Sequence, residues 1–163
     1  MNLFMPYPSV IKSVRSLDDR RLIKQILECK VILDIALGKK SGYANHPVCA
    51  HYKDYAEFVA YYANQACCEY ALRFRKDHSY EKDFIRKYVH AATPTKPLEI
   101  LYAAGSKGSK DCIRAIGKEV HDMFKQKLIE KWNNDKVNGR TPKWTNREIP
   151  EFYKEDRNVK QAK

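Results

Sequence analysis

The chain has 163 residues and a formal net charge of +11, with 31% charged and 44% hydrophobic residues. This length allows one domain with a substantial core, and the longest apolar stretch is too short and too charged to span a membrane. The positive charge suits a polyanionic partner such as nucleic acid, although basic soluble proteins of other kinds are common.

The cysteines and the first ten residues predict an intracellular protein. There are five cysteines, an odd number without a CxxC pair, so we expect reduced thiols and not a disulfide framework. The N-terminus, MNLFMPYPSV, has prolines where a signal peptide would have an uninterrupted apolar segment.

Residues 1 to about 15 are predicted to be extended, because Pro6 and Pro8 disfavour a helix around them. The apolar side chains of Leu3, Phe4 and Met5 would anchor this segment on the core. We therefore expect the N-terminal α-amine to have a fixed position.

The stretch from Leu17 to Leu37 predicts the central helix of the fold, with Asp18 or Asp19 as its cap and Gly38 at its end. Apolar residues occupy almost its whole circumference, which is typical of a helix with others packed on several sides. Its main apolar stripe consists of Leu22, Ile26, Cys29, Leu33 and Leu37.

One carboxylate, Glu28, lies roughly opposite that stripe, with Arg21 and Lys24 beside it. From the residues alone, the favoured interpretation is a structural ion pair with one of these cations. A second interpretation is catalytic. An α-amine has a pKa of about 7.7–8.0, against about 10.4 for lysine, so at neutral pH it is partly a free nucleophile. Held near a carboxylate that acts as acid or base, it could form an imine.

The rest of the chain completes an all-α prediction, because no stretch alternates convincingly as a strand would. Further helices are predicted at about 52–76, 78–90, 98–104 and 111–132, with loops at 39–50 and 105–110. We expect a compact single domain of four to five helices over residues 1–153, followed by a disordered basic tail at 154–163.

No metal or cofactor is expected. His46, Cys49 and His51 have poor spacing for a metal site, and no second ligand cluster exists. The loop GSKGSK at 105–110 lacks the spacing of a P-loop, and we predict a solvated connection there.

The C-terminal segment combines aromatic and cationic residues. RTPKWTNREIPEFY, residues 140–153, places Trp144, Phe152 and Tyr153 among Arg140, Lys143 and Arg147. This composition is compatible with nucleic-acid binding, and equally with a tail that packs back on the core.

Three N-terminal motifs together resemble one family. MNLFMPYP, LDDRRLIKQILECKVIL and GYANHP are similar to segments of the pyrimidine-dimer DNA glycosylase (phage endonuclease V) family, especially its divergent phage, viral and bacterial branch. The resemblance is good over residues 1–75. Later, VHDMFKQKL and PKWTNREIPEFY loosely match the family's basic SHRxxLL helix and its aromatic C-terminal segment.

The resemblance implies a DNA repair glycosylase with an all-α fold. Members flip a base out of the duplex and attack the anomeric carbon with the N-terminal amine. A Schiff base forms, and the strand is nicked by β-elimination, which is an AP-lyase activity. Glu28 matches the family's essential glutamate, and the nucleophile would be the amine of Met1 or, after its removal, of Asn2.

The resemblance also implies the partner and its contacts. The partner would be double-stranded DNA, damaged or abasic. The protein is expected to be a monomer and not to associate with a membrane. The expected DNA-binding residues are Arg20, Arg21, Lys24, Tyr43, Asn45, His46, Lys125, Lys143 and Trp144. The expected location is the cytoplasm of a host or bacterial cell, the nucleus for a virus of eukaryotes, or the virion.

Two departures from the family pattern leave alternatives open. Asn2 replaces the small residue that permits efficient removal of the initiator Met, so the lyase activity could be absent. Asp122 stands where the SHR pattern has arginine, which leaves the lesion open. A rival function is a non-catalytic DNA- or RNA-binding, or nucleic-acid-packaging, protein that keeps the glycosylase fold.

Overall fold

The computed structural model describes residues 1–80, 100–103, 112–115 and 117–154. The elements are α1 Val10–Ser16, α2 Asp19–Ala36, α3 Pro47–Tyr52, a 3-10 helix Lys53–Tyr55, α4 Ala56–Phe74, β1 Ile100–Ala103, β2 Cys112–Ala115 and α5 Lys118–Val137. The predominantly helical fold confirms the all-α class. Within these ranges, no helix is both long and apolar enough to cross a membrane.

Two short helices lie where the sequence predicted extended chain or loop. The Ser9 side chain accepts a hydrogen bond from the Lys12 amide and starts α1 directly after Pro8. His46 caps α3 in the same way, and Pro47 occupies the first turn, where its missing N–H costs nothing. Both helices have fewer than eight residues, too few for a clear apolar period.

The hairpin corrects two further predictions. Residues 100–103 form a strand and not a helix, and Ile100 pairs with Ala115 in an antiparallel register. The last helix begins at Lys118 and not at 111, because β2 precedes it and Gly117 adopts φ +130°. The predicted loop at 105–110, the disordered tail and most of the predicted helix at 78–90 lie outside the described residues.

Helix α2 forms the centre of the core, and its faces are buried to different extents. Its fully buried residues include Leu22, Ile26, Cys29, Ile32 and Leu33, and α4 packs against it. Leu27 and Leu37 are 43% and 48% exposed, so the prediction that α2 is buried almost all round was wrong, although α3, the 3-10 helix and α4 all contact it. Gly38, at φ +76°, follows the end of the helix as predicted.

The N-terminal segment runs as buried extended chain against α2 and α5. Leu3, Phe4 and Met5 are at most 5% exposed. The Phe4 ring lies edge-on to Phe124 at 5.8 Å, and Nδ1 of His121 lies 2.6 Å from the Met5 carbonyl oxygen. The predicted anchoring of the N-terminus is confirmed.

The C-terminal segment packs back on the core. The Trp144 indole N–H donates to the Ser16 carbonyl at 3.0 Å, and Tyr153 is only 1% exposed. Arg147 donates two hydrogen bonds to the carboxylate of Glu69 on α4, at 2.7 and 3.0 Å. Of the two interpretations of this segment, the one in which it packs back on the core agrees with the contacts of its aromatic residues.

Candidate active site

A cleft of about 500 Å³ opens between the N-terminal residues, α2 and α5. Its lining is mostly polar and cationic: Met1, Asn2, Phe4, Arg20, Arg21, Lys24, Gln25, Glu28, Lys127, Lys131, Asn134 and Asp135. Helix α2 contributes its residues at intervals of three and four, because these positions share one face of a helix. The N-terminus and the predicted glutamate therefore share one concave surface.

Glu28 lies in the wall of this cleft beside the first two residues. The Asn2 backbone N–H approaches Oε2 of Glu28 at 3.5 Å, and Nε2 of Gln25 donates to the same oxygen at 2.8 Å. The other oxygen, Oε1, lies 3.9 Å from Nζ of Lys24. The sequence placed Glu28 on the side of α2 opposite the apolar stripe. This side is not open to solvent, because the N-terminal segment covers it and leaves Glu28 only 9% exposed.

The α-amine of Met1 is the most unusual group in the cleft. Burial lowers its pKa below the ordinary value, and although Glu28 opposes this shift, Lys24, Lys131 and Lys127 reinforce it. A lower pKa increases the fraction of the free, nucleophilic base at neutral pH.

Glu28 shifts in the complementary direction. Burial raises its pKa above the ordinary value, while the α-amine and Lys24 limit the rise. A carboxyl whose pKa is moved towards neutrality can both take up and release a proton in this range. The pair thus combines a nucleophile with an acid–base group.

Cations surround the pair on the solvent side. Lys24 is 67% exposed and Arg20 58%, and Arg20 pairs with Asp135 at 3.3 Å. Arg21 is instead buried and ion-paired with Asp18 at 3.1 Å and with Asp135. Lys131 lines the cleft, and burial lowers its pKa, with Arg21 and Lys24 adding to the shift.

A family model described as pyrimidine dimer DNA glycosylase matches residues 1–82, just over half of the 163 residues. The chain belongs to the pyrimidine dimer DNA glycosylase family. Membership supports a general function as a DNA repair glycosylase and implies a DNA substrate. Comparison with curated proteins and with solved structures finds no match.

The loop that resembles the glycosylase motif lies next to the N-terminus. Tyr43 is 56% exposed and Asn45 is exposed, so both are accessible. Burial, with a contribution from the α-amine, lowers the pKa of His46. Sγ of Cys49 lies 3.3 Å from Sδ of Met1, and burial raises the pKa of this thiol to about 11. The helix α3 that follows this loop therefore contacts the Met1 side chain through Cys49.

Like the three loop residues, the predicted DNA-binding residues Lys125, Lys143 and Trp144 do not line the main cleft. Lys125 pairs with Asp122 at 2.7 Å on α5. Lys143 is exposed and lines a second, smaller cleft of about 400 Å³ beside Arg20. Trp144 packs edge-on against Trp132 at 5.0 Å, which gives its ring a structural role. A DNA contact of these residues stays a prediction.

Several residues that line the cleft were not singled out from the sequence. Gln25 precedes Glu28 by one helical turn, so its i−3 spacing was a usable signal. Lys127, Lys131 and Asp135 line the cleft from α5, spaced by four residues along that helix. Nothing local in the sequence indicates that α5 faces Glu28, because this pairing depends on the tertiary fold.

The predicted lack of a metal stays a prediction. Among the described residues, no group of three or more His, Cys, Asp or Glu side chains could hold an ion. His51 instead packs its ring against Tyr52 and Tyr55, at 4.7 and 5.1 Å.

Proposed function

We propose that this glycosylase also acts as an AP lyase and uses its N-terminal α-amine as the nucleophile. The observation that carries the proposal is the half-buried Met1 amine in the same cleft as the buried Glu28, with their pKa values shifted towards each other. An amine with a lowered pKa is a more available nucleophile, and the adjacent carboxyl supplies the acid–base function.

The proposed reaction balances with these two groups. The amine attacks C1′ of the flipped nucleotide, and the base leaves with the electron pair of the N-glycosidic bond. Glu28 takes one proton from the new C–N nitrogen and returns a proton to O4′, so that the sugar ring opens and an iminium forms. Glu28, which is again a carboxylate, takes a proton from C2′ and passes it to the departed base, while the 3′ phosphate leaves with the electron pair of the C3′–O bond. Water then hydrolyses the iminium to regenerate the amine.

Two amines fit this reaction. In the chain with Met1, the α-amine interacts electrostatically with Glu28, and the Met1 side chain lies against Cys49. If Met1 were removed, the nitrogen of Asn2, now 3.5 Å from Oε2 of Glu28, would become the amine. Mass spectrometry of the mature N-terminus distinguishes the two.

We propose that the cleft cations hold the phosphates that flank the flipped nucleotide. Arg20, Lys24 and Lys131 are suited to this role, since the first two are exposed and all three line the cleft. Arg21 is better suited to positioning α5, because it is buried between Asp18 and Asp135. The lesion is a pyrimidine dimer or another damaged base.

Borohydride trapping on duplex DNA tests the proposal. The duplexes carry a pyrimidine dimer, an abasic site or no lesion. A covalent adduct at the N-terminal residue, identified by mass spectrometry, supports the lyase. Base release without trapping leaves a monofunctional glycosylase, and salt-dependent binding without either activity supports the rival non-catalytic protein.

A further inference from the structure

The side-chain amide of Gln25 connects the N-terminal segment to Glu28. It is 1% exposed, and Nε2 donates to the Asn2 carbonyl and to Oε2 of Glu28, both at 2.8 Å. Oε1 accepts from the Phe4 backbone N–H at 2.8 Å. Both hydrogens of Nε2 are therefore used by one main-chain and one carboxylate acceptor.

These partners allow one orientation of the amide. The Asn2 carbonyl can only accept and the Phe4 N–H can only donate, so a flipped amide would leave buried polar groups facing like groups. The Tyr62 hydroxyl lies 3.0 Å from Oε1 of Gln25 and 2.9 Å from the Phe4 carbonyl, and its single hydrogen serves one of them at a time. Burial raises the pKa of Tyr62, so this hydroxyl remains a donor.

The fixed amide makes the two oxygens of Glu28 unequal. Oε2 faces the N–H groups of Gln25 and Asn2, so it acts as an acceptor. Oε1 lies on the side of the exposed Lys24, 3.9 Å from its ammonium nitrogen. We infer that Gln25 is a positioning residue, which holds Oε2 in place as an acceptor and, in the chain that keeps Met1, leaves Oε1 as the oxygen that exchanges protons with the amine and the sugar. The inference rests on the proposed function, and it assigns the proton transfers of that reaction to Oε1 of Glu28.

The substitution Gln25→Met tests this role, since it keeps a side chain of similar length and removes the amide. Ser13→Ala is the matched control. Ser13 is fully buried and exchanges hydrogen bonds with the Tyr7 backbone at 2.9 and 3.1 Å, so its loss weakens the same N-terminal segment away from Glu28.

Three measurements and a thermal melt separate positioning from stability. The first is a ¹³C NMR titration of the Glu28 carboxyl, assigned with Glu28→Gln. The second is the pH profile of single-turnover cleavage of abasic duplex. The third is fluorescence anisotropy with a duplex that carries a tetrahydrofuran abasic analogue, followed by a thermal melt.

In Gln25→Met, loss of the hydrogen bond to the carboxylate should raise the pKa of Glu28 by about one unit. The rising limb of the rate profile should move to higher pH, with single-turnover cleavage at pH 7 slowed by about tenfold and duplex affinity within about twofold. Ser13→Ala should lower the melting temperature and leave the Glu28 titration unchanged.

An unchanged Glu28 titration in Gln25→Met overturns the inference, as does a rate loss that merely follows the loss of melting temperature seen in Ser13→Ala. If the unsubstituted protein neither forms an adduct nor cleaves, the proposed function fails, and the titration still decides the role of Gln25. If Gln25→Met does not fold, Gln25→Glu replaces it. In that variant the two neighbouring carboxyl groups should share a proton, which should again raise the pKa measured for Glu28.

Discussion

Glu28 lies in a buried position, and we propose that it acts there as the acid–base group. It is 9% exposed, yet it shares its surroundings with a terminal amine, a lysine ammonium and two N–H donors. Burial destabilises the charged carboxylate, whereas these neighbours stabilise it. Such a balance keeps a carboxyl available for proton transfer, and it makes the residue testable by both rate and stability.

Replacing Glu28 with Gln removes the acid–base group with little change of shape. We expect single-turnover cleavage and borohydride trapping to fall by about 10²–10⁴-fold, the range of general acid–base catalysis. Duplex affinity should stay the same or increase, because a negative charge leaves a cationic cleft. Glu119→Gln, an exposed position at the start of α5, is the charge-matched control and should cleave normally. Normal cleavage by Glu28→Gln would show that this carboxyl is structural.

The raised pKa of Glu28 also predicts how stability depends on pH. The folded state binds the proton more tightly than the unfolded state, where the pKa is about 4.3. The contribution of Glu28 is therefore most favourable below that pH and is lost as the pH rises through the higher folded value. Glu28→Gln should melt at a higher temperature than the unsubstituted protein at pH 7, and this gain should vanish on acidification.

Thermal unfolding between pH 4 and pH 8 measures this difference. Glu119→Gln again serves as the control, since an exposed carboxyl should give no pH-dependent gain. A lower melting temperature of Glu28→Gln at pH 7 would mean that the attraction between the Glu28 carboxylate and its cations exceeds the free-energy cost of burying its charge.

At the level of elements, ion pairs join segments that are distant along the chain. Arg73 on α4 is buried and donates to Glu69 at 2.8 Å, to Asp19 at 3.0 Å and to the Leu17 carbonyl at 2.8 Å. Arg147 reaches the same Glu69 from the C-terminal segment. This cluster joins α4, the start of α2 and the C-terminal segment, and so holds α2 in the position that forms the cleft.

Glu69→Gln should therefore be strongly destabilising. The substitution leaves the fully buried Arg73 without its main counter-charge, and removing one partner of a buried pair costs about 3–5 kcal/mol. Urea denaturation at pH 7 measures the loss of unfolding free energy. Glu57→Gln, in the first turn of the same helix, should change it little. A small effect of Glu69→Gln would indicate that Asp19 alone compensates Arg73.

The pH dependence of this cluster is opposite to that of Glu28. Burial by itself would raise the pKa of Glu69, but hydrogen bonds from Arg147 and Arg73 hold it below the ordinary value. The stability that it contributes is present above about pH 4.3 and is lost as the pH falls through the lower folded value.

At the scale of the whole molecule, the chain has a net charge of +11, and five of its Lys and Arg side chains line the cleft. For duplex DNA, the logarithm of the binding constant falls with the logarithm of salt concentration by about 0.9 for each phosphate that a cation neutralises. Lys24→Ala and Lys131→Ala should each lower this slope by about one. Anisotropy with undamaged and abasic duplexes at several salt concentrations measures it.

Lys53→Ala is the control for that experiment. Lys53 is exposed in the 3-10 helix and does not line the cleft, so its removal should leave the slope nearly unchanged. If Lys24→Ala and Lys131→Ala gave the same salt-dependence slope as Lys53→Ala, the phosphate contacts would lie elsewhere on the basic surface.

The sequence by itself determined the family and the long helices. The Glu28 spacing, the anchored N-terminus and the family motifs all lie within 1–47, and local pattern is sufficient to relate them. Long periodic segments such as α4, and α5 from Val120 to Trp132, were also predictable, because burial imposes a helical repeat over several turns.

Only the tertiary structure decided what meets across the cleft. Helix α5 begins 90 residues after Glu28, and no local signal could indicate that Lys131 and Asp135 would face it. The hairpin and the two short helices were missed for a related reason, since elements of four to seven residues are defined by their partners more than by their own periodicity. The same holds for Gln25, whose proposed role depends on hydrogen bonds to the extended N-terminal segment, more than twenty residues away in the sequence.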